Sequence, residues 1–262
     1  ILACAYAVFD GTTEKRDRAR AFFLVLLGCL LAVFAQPNLV FSVFALFIPY
    51  GAYRVWNVVS DHATSHVRLL QFCGMGAFFV IIIVVWAFCL NASFMQSVVN
   101  FDWPALSTIP QAFVDTLFVC SSLTPISPVL ALFLVIGIVG TFKERNHLWI
   151  TVLFIFVTIM YVACVATNGS LDRILTGFWY TDRFRISALL AIVQTLLIAF
   201  GLAKTYSFIR KRKNYKRPIW IALTVVLFVL LLFPSFTLRG LTIVDTPFGH
   251  LRHELHSLYR SD

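Results

Sequence analysis

Apolar residues run along this chain in long blocks, and polar residues gather into short bursts between them. The blocks cover 21–35, 39–57, 69–90, 112–141, 148–167, 186–208 and 218–235. A hydrocarbon core of about 30 Å takes about 20 helical residues to cross. Blocks 69–90, 148–167 and 186–208 meet that length directly. Block 21–35 is short, and Gln36-Pro37-Asn38 parts it from the next, so the two read as short crossings or a re-entrant hairpin. Block 112–141 is too long for one crossing and too short for two. Pro125 and Pro128 remove backbone donors inside it. The expected result is a half-helix or interfacial helix over 111–123 and a crossing over about 127–141. The opening Ile1–Phe9 reads as the end of a helix that begins upstream, and the whole as a fragment of a larger protein.

The pattern predicts an all-α fold, a polytopic transmembrane helical bundle of about seven spans plus the end of another. Residues 1–235 form the membrane domain, and 236–262 start an extracytoplasmic segment. Composition agrees: 60% of residues are hydrophobic, 13% are charged and 27 are phenylalanine. A soluble domain holds roughly 45–50% apolar and 25% charged residues, and so much phenylalanine would leave its surface greasy.

Charge adds orientation. Fifteen of the 21 Lys and Arg residues fall in 10–20, 53–68, 142–147 and 204–217, and the other six in the alternate connections. The two sets alternate if 21–57 crosses an even number of times. The positive-inside bias then makes the basic loops cytoplasmic and turns 36–38, 91–111, 168–185 and 236–262 outward. The net charge of +9 sits in these bursts, which argues against a nucleic-acid face. The cluster Arg210–Arg217 sets topology and attracts anionic lipid. The six cysteines lie in apolar runs without a C-x-x-C pair, as buried thiols do.

Candidate chemistry lies in the outward connections. In Trp179-Tyr180-Thr181-Asp182-Arg183-Phe184-Arg185, arginines stand on the side where basic residues are scarce. Their planar donors suit a phosphate or carboxylate, and Trp179 and Tyr180 suit a sugar face or the headgroup belt. A purely structural Asp182–Arg185 pair at i, i+3 is the competing reading. Gln36 and Asn38 could bind a hydroxyl, cap the next helix or form a plain turn. Asp115, inside an apolar block, is costly there and a functional candidate by default, as well as a candidate for a solvated or Arg-paired group. Asp102 precedes Trp103-Pro104 in the same outward loop. His62 and His66 are spaced i, i+4 beside Asp61 but fall in a polar loop on the cytoplasmic side, and His250, His253 and His256 drift around a helix without converging, so no metal site is assigned. There is no P-loop, G-x-G-x-x-G or internal repeat.

At Trp179–Arg185 the chain resembles an uncharacterised family of large actinobacterial membrane proteins with a W-Y-(N/T)-D-x-x-R motif before a late helix. Their layout is similar to the C-type (GT-C) glycosyltransferases. The likeness takes in Gln36-Pro37-Asn38 and Asp245-Thr-Pro-Phe-Gly-His-Leu-Arg252, and covers the chain as a C-terminal half. It implies transfer of a sugar from a polyprenyl-phosphate donor at the outer face, for cell-envelope glycan or glycolipid. Trp179 and Tyr180 would contact sugar or lipid, Arg183 and Arg185 the phosphate, and Asp182 would orient them or meet a hydroxyl. The catalytic carboxylate of C-type enzymes usually lies in a first exterior loop that this chain does not contain; Asp102, Asp115 and Asp182 are the substitutes. No cofactor is identifiable, and a divalent metal is compatible with the chemistry. The implied partners are membrane lipid, the polyprenyl-phosphate sugar and other membrane proteins. An accessory subunit of a membrane complex is the alternative, and a transporter the third reading.

Overall fold

A computed structural model describes residues 15–35, 38–62, 66–101, 103–121 and 126–211. The proposed block 218–235, the segment 236–262 and the opening 1–9 lie outside the described residues. Every regular element among the described residues is helical, and no strand occurs. Four helical stretches are long and apolar enough to cross a membrane: Asn38–Asp61, Val67–Asn91, Arg145–Ala166 and Arg183–Phe208. This is a multi-pass helical membrane bundle. The chain divides into two compact units, Ile1–Trp86 and Ala87–Asp262.

The first unit holds α1 (Lys15–Ala35), α2 (Asn38–His62) and most of α3 (Val67–Asn91). Gly51 of α2 leaves room for the Phe78 ring of α3, since a Cβ there would stand 2.9 Å from Cζ. Trp56 meets Phe72 edge-on at 5.8 Å, and Phe44 stacks with Trp86 at 6.3 Å. Small residues and aromatic pairs are what hold helices together in lipid, where apolar burial offers no advantage over acyl chains. The helices outrun the apolar blocks. α1 begins in the basic burst at Lys15, α2 continues through Arg54 and Asp61 to His62, and the last described helix reaches Lys211. Lys and Arg are good helix formers, so the backbone keeps its ladder beyond the apolar zone.

In the second unit a 3-10 turn (Ser93–Met95) and the short α4 (Gln96–Val99) follow α3. They are succeeded by α5 (Ile109–Leu117), α6 (Pro128–Lys143), α7 (Leu148–Ala166), α8 (Ser170–Thr176) and α9 (Arg183–Lys211). Block 112–141 is broken, as expected, and Pro128 takes the start of α6, where a missing N–H costs nothing. The half-helix is shorter than the expected 111–123. Phe118 closes α5, and Val119 turns left-handed at φ 56°. Gln194 of α9 donates to the Thr116 carbonyl at 2.8 Å, answering one of the carbonyls orphaned at the end of α5. Gln194 lies about 16 Å along α9 from its start, at 1.5 Å per residue, so the end of α5 is level with a point well inside that long apolar helix.

α9 packs hardest on α6 and then on α7. Gly137 of α6 and Gly201 of α9 let the two backbones touch, and Thr141 and Thr151 share a hydrogen bond of 2.6 Å between α6 and α7. At the far end Lys204 pairs with Glu144, whose carboxyl it holds below the usual carboxylate range.

Candidate functional site

Phe101 and the segments 103–107 and 165–185 are stitched into one ledge at the ends of α7 and α9. The amides of Leu106 and Ser107 both donate to the Val165 carbonyl at 3.0 Å, satisfying the end of α7. Ala105 N donates to Asn168 Oδ1 at 2.8 Å. Trp103 N donates to Thr181 Oγ1 at 3.2 Å, and that hydroxyl donates to the Phe101 carbonyl at 3.1 Å. Gly169, at φ 117°, supplies the turn into α8 that a side chain would oppose.

Two adjacent residues on this ledge, Tyr180 at φ 61° and Thr181 at φ 47°, are left-handed. For L-residues that conformation costs about 1–2 kcal/mol each, and it persists only where neighbours over-determine it. Here they do. Tyr180 N donates to Gly177 O at 3.0 Å, Thr181 N to Thr176 O at 3.3 Å, and the Cys164 thiol to Thr181 O at 3.1 Å. Gly177 fits closely under Val99, whose Cγ1 would stand 3.1 Å from an added Cβ.

The seven-residue motif is divided between floor and rim. Trp179 is 1% exposed and Thr181 is also buried, so the indole is part of the floor and offers no open face to a ligand. Tyr180 is half-buried, with its ring edge-on to Phe101 at 6.0 Å. Asp182 caps α9. Its Oδ1 accepts from Phe184 N at 2.9 Å, and its Oδ2 stands 3.3 Å from Arg185 Nε. Arg185 also lies 4.7 Å over the Tyr180 ring. Arg183 is half-buried and borders a small cleft shared with Trp103, Leu106 and Thr181. Capping predicts that Asp182→Ala lowers stability by about 1 kcal/mol while Asp182→Asn, which keeps the acceptor, loses only a few tenths. Thermal unfolding of the purified protein reads this. Equal losses in both variants would assign the effect to the Arg185 pair.

Asp172, which the sequence pattern does not single out, is 0% exposed under the same ledge. The Thr176 hydroxyl donates to its Oδ1 at 2.5 Å. The i, i+4 spacing of Asp172 and Thr176 is the one signal that could have found it. Asp172, Asp182 and Arg183 all act electrostatically on the Cys164 thiol, which places both carboxylates and the arginine around the end of α7.

Asp115 belongs to a different locus, the helix break. It is 6% exposed, takes a hydrogen bond from Gln111 Nε2 at 2.8 Å and has the Cys120 Sγ at 3.5 Å. Among the described residues no Lys or Arg pairs with it. Asn38 is buried at the start of α2 in the first unit, where its carbonyl accepts from Ser42 Oγ at 3.2 Å. Gln36 and Asp102 lie outside the described residues. Among the described residues no three His, Cys, Asp or Glu side chains come together as a ligand set.

Spans, helix break and bonded ledge together define a multi-pass helical membrane protein. The chain belongs to the family of unknown function DUF6541, whose model matches residues 1–257. No curated protein and no solved structure matches it.

Proposed function

We propose that this chain is the membrane-embedded part of a glycosyltransferase that takes a sugar from a polyprenyl-phosphate donor at the outer face, for envelope glycan or glycolipid. The observation that carries the reading is the ledge. Two connections that the charge bias turns outward are bonded into one strained, over-determined surface that carries Arg183 and Arg185 at its rim. A surface so constrained holds its donors in place before a ligand arrives, which favours recognition of a phosphate. Arg183, beside the cleft, holds the phosphate. Arg185 is fixed by Asp182 and Tyr180, and adds positive potential without moving. Trp179 supports the floor. The basic loops are cytoplasmic in this reading, and 168–185 and 236–262 extracytoplasmic.

Turnover of a polyprenyl-phosphate sugar by the full-length protein tests the proposal. Arg183→Ala is expected to reduce kcat/KM at least about tenfold, the equivalent of about 1.4 kcal/mol. Arg183→Lys, a point charge without the fork, recovers part of it. Unchanged turnover in Arg183→Ala removes the assigned role.

One observation favours a second reading, transport. A helix that breaks level with the interior of a long apolar helix, with a buried carboxylate beside the break, resembles the arrangement that carriers use around a bound solute. Solute uptake into proteoliposomes that is abolished by Asp115→Asn, with no sugar transfer, would select it.

A further inference from the structure

The first unit contains a cavity of about 410 Å³ between α1, α2 and α3. Val25 of α1, Val43, Phe47 and Gly51 of α2, and Phe78 and Ile82 of α3 supply apolar walls, and Arg54 is the one charged residue that lines it among the described residues. On α2 the lining positions Val43, Phe47, Tyr50, Gly51 and Arg54 recur at helical spacing, so they form one stripe along one face. From Val43 to Arg54 that stripe runs about 16 Å, at 1.5 Å per residue. This is about half of a 30 Å hydrocarbon core, the depth of a single leaflet. Gly51 keeps the stripe open, because a Cβ there would press on the Phe78 ring.

Arg54 stands at the end of the stripe where α2 turns polar, with Asn57, Ser60 and Asp61 beyond it. Its Nε is buried and has no hydrogen-bond partner among the described residues. A guanidinium is always charged and a buried N–H without an acceptor is costly, so this donor is best answered by an anionic oxygen. An apolar groove of leaflet depth with a cationic donor at its polar end has room for one acyl chain and a charge for one phosphate.

We infer that the first unit binds one anionic phospholipid, its acyl chain in this groove and its phosphate on Arg54. The site is independent of the proposed sugar transfer, and its test needs no turnover.

The probe is phosphatidylglycerol in mixed vesicles with phosphatidylcholine, followed by native mass spectrometry of the full-length protein released from them. The wild type is expected to retain one phosphatidylglycerol in preference to phosphatidylcholine. Arg54→Gln is expected to cut that occupancy about tenfold, as loss of one charge-assisted contact of about 1.4 kcal/mol would. Gly51→Leu, which obstructs the groove, should lower it as well, while Arg68→Gln, an exposed charge on α3, should not. Should a variant misfold, the wild type alone decides: its unfolding temperature is expected to rise with added phosphatidylglycerol and not with phosphatidylcholine. Equal retention of both lipids, undiminished retention in Arg54→Gln, or retention of a polyprenyl phosphate alone overturns the inference.

Discussion

Gly201→Leu is expected to abolish the folded second unit, and Gly201→Ala to weaken it severely. At this position a Cβ would lie 2.1 Å from the Phe133 carbonyl oxygen and 2.9 Å from Gly137 N. Across the contact, a Cβ on Gly137 would lie 2.1 Å from the Leu197 carbonyl oxygen. The obstacles are backbone atoms of two packed helices, which cannot rotate aside as a side chain can. Overpacking a well-filled interior costs about 1–3 kcal/mol and occasionally more, and a methyl wedged between two backbones belongs at the top of that range. Close approach is also where helices in lipid gain their dispersion energy, so forcing α6 from α9 removes the attraction as well as adding strain. Gly76 is the control. Nothing lies within 4 Å of a Cβ built there, so Gly76→Ala should be neutral or stabilising by up to about 1 kcal/mol through helix propensity. Thermal unfolding followed by fluorescence-detected size exclusion reads all three variants. A Gly201→Ala protein as heat-stable as the wild type would show that α6 and α9 do not meet in this way.

Gln194→Leu should release the inner end of α5. In the wild type the Gln194 amide is 1% exposed and donates to the Thr116 carbonyl, one of the last four of its helix. Leucine preserves volume and removes the donor, leaving a buried carbonyl unanswered at a cost of about 1–3 kcal/mol. Water cannot substitute inside hydrocarbon. The local readout is Cys120, whose amide and thiol both reach back to the Asp115 carbonyl, at 2.9 and 3.6 Å, and fold the turn after α5. With the other cysteines replaced by serine, alkylation of Cys120 is expected to speed up about tenfold or more in Gln194→Leu, alongside a lower unfolding temperature. Unchanged Cys120 reactivity would mean that α5 is held by something other than this bond. Because Asp115 sits on the same short helix, any transport chemistry at the break should fail with it.

The long apolar blocks and the prolines of this chain determined its class unaided. Lipid leaves a backbone no partner except itself, so a run of about 20 apolar residues has helix as its one satisfactory state. Pro125 and Pro128 remove donors from that ladder and mark where block 112–141 divides, although Pro49 is carried inside α2. Helix ends were less legible: Lys15, His62 and Lys211 are still helical, because charged residues with good helix propensity extend a ladder into water without any change in periodicity. The site depended on tertiary structure almost throughout. Trp179 looks like a belt residue in the sequence and is floor in the fold. Asp182 looks like a ligand and is first a helix cap, and Asp172 draws no notice until its burial is seen. The Gln194–Thr116 and Thr181–Phe101 bonds join residues 78 and 80 positions apart, and the touching glycines lie on helices that are not consecutive. Hydropathy records only whether a side chain prefers oil. Which two helices press together, and which polar groups they leave facing each other, is fixed by shape and by hydrogen-bond satisfaction across the bundle.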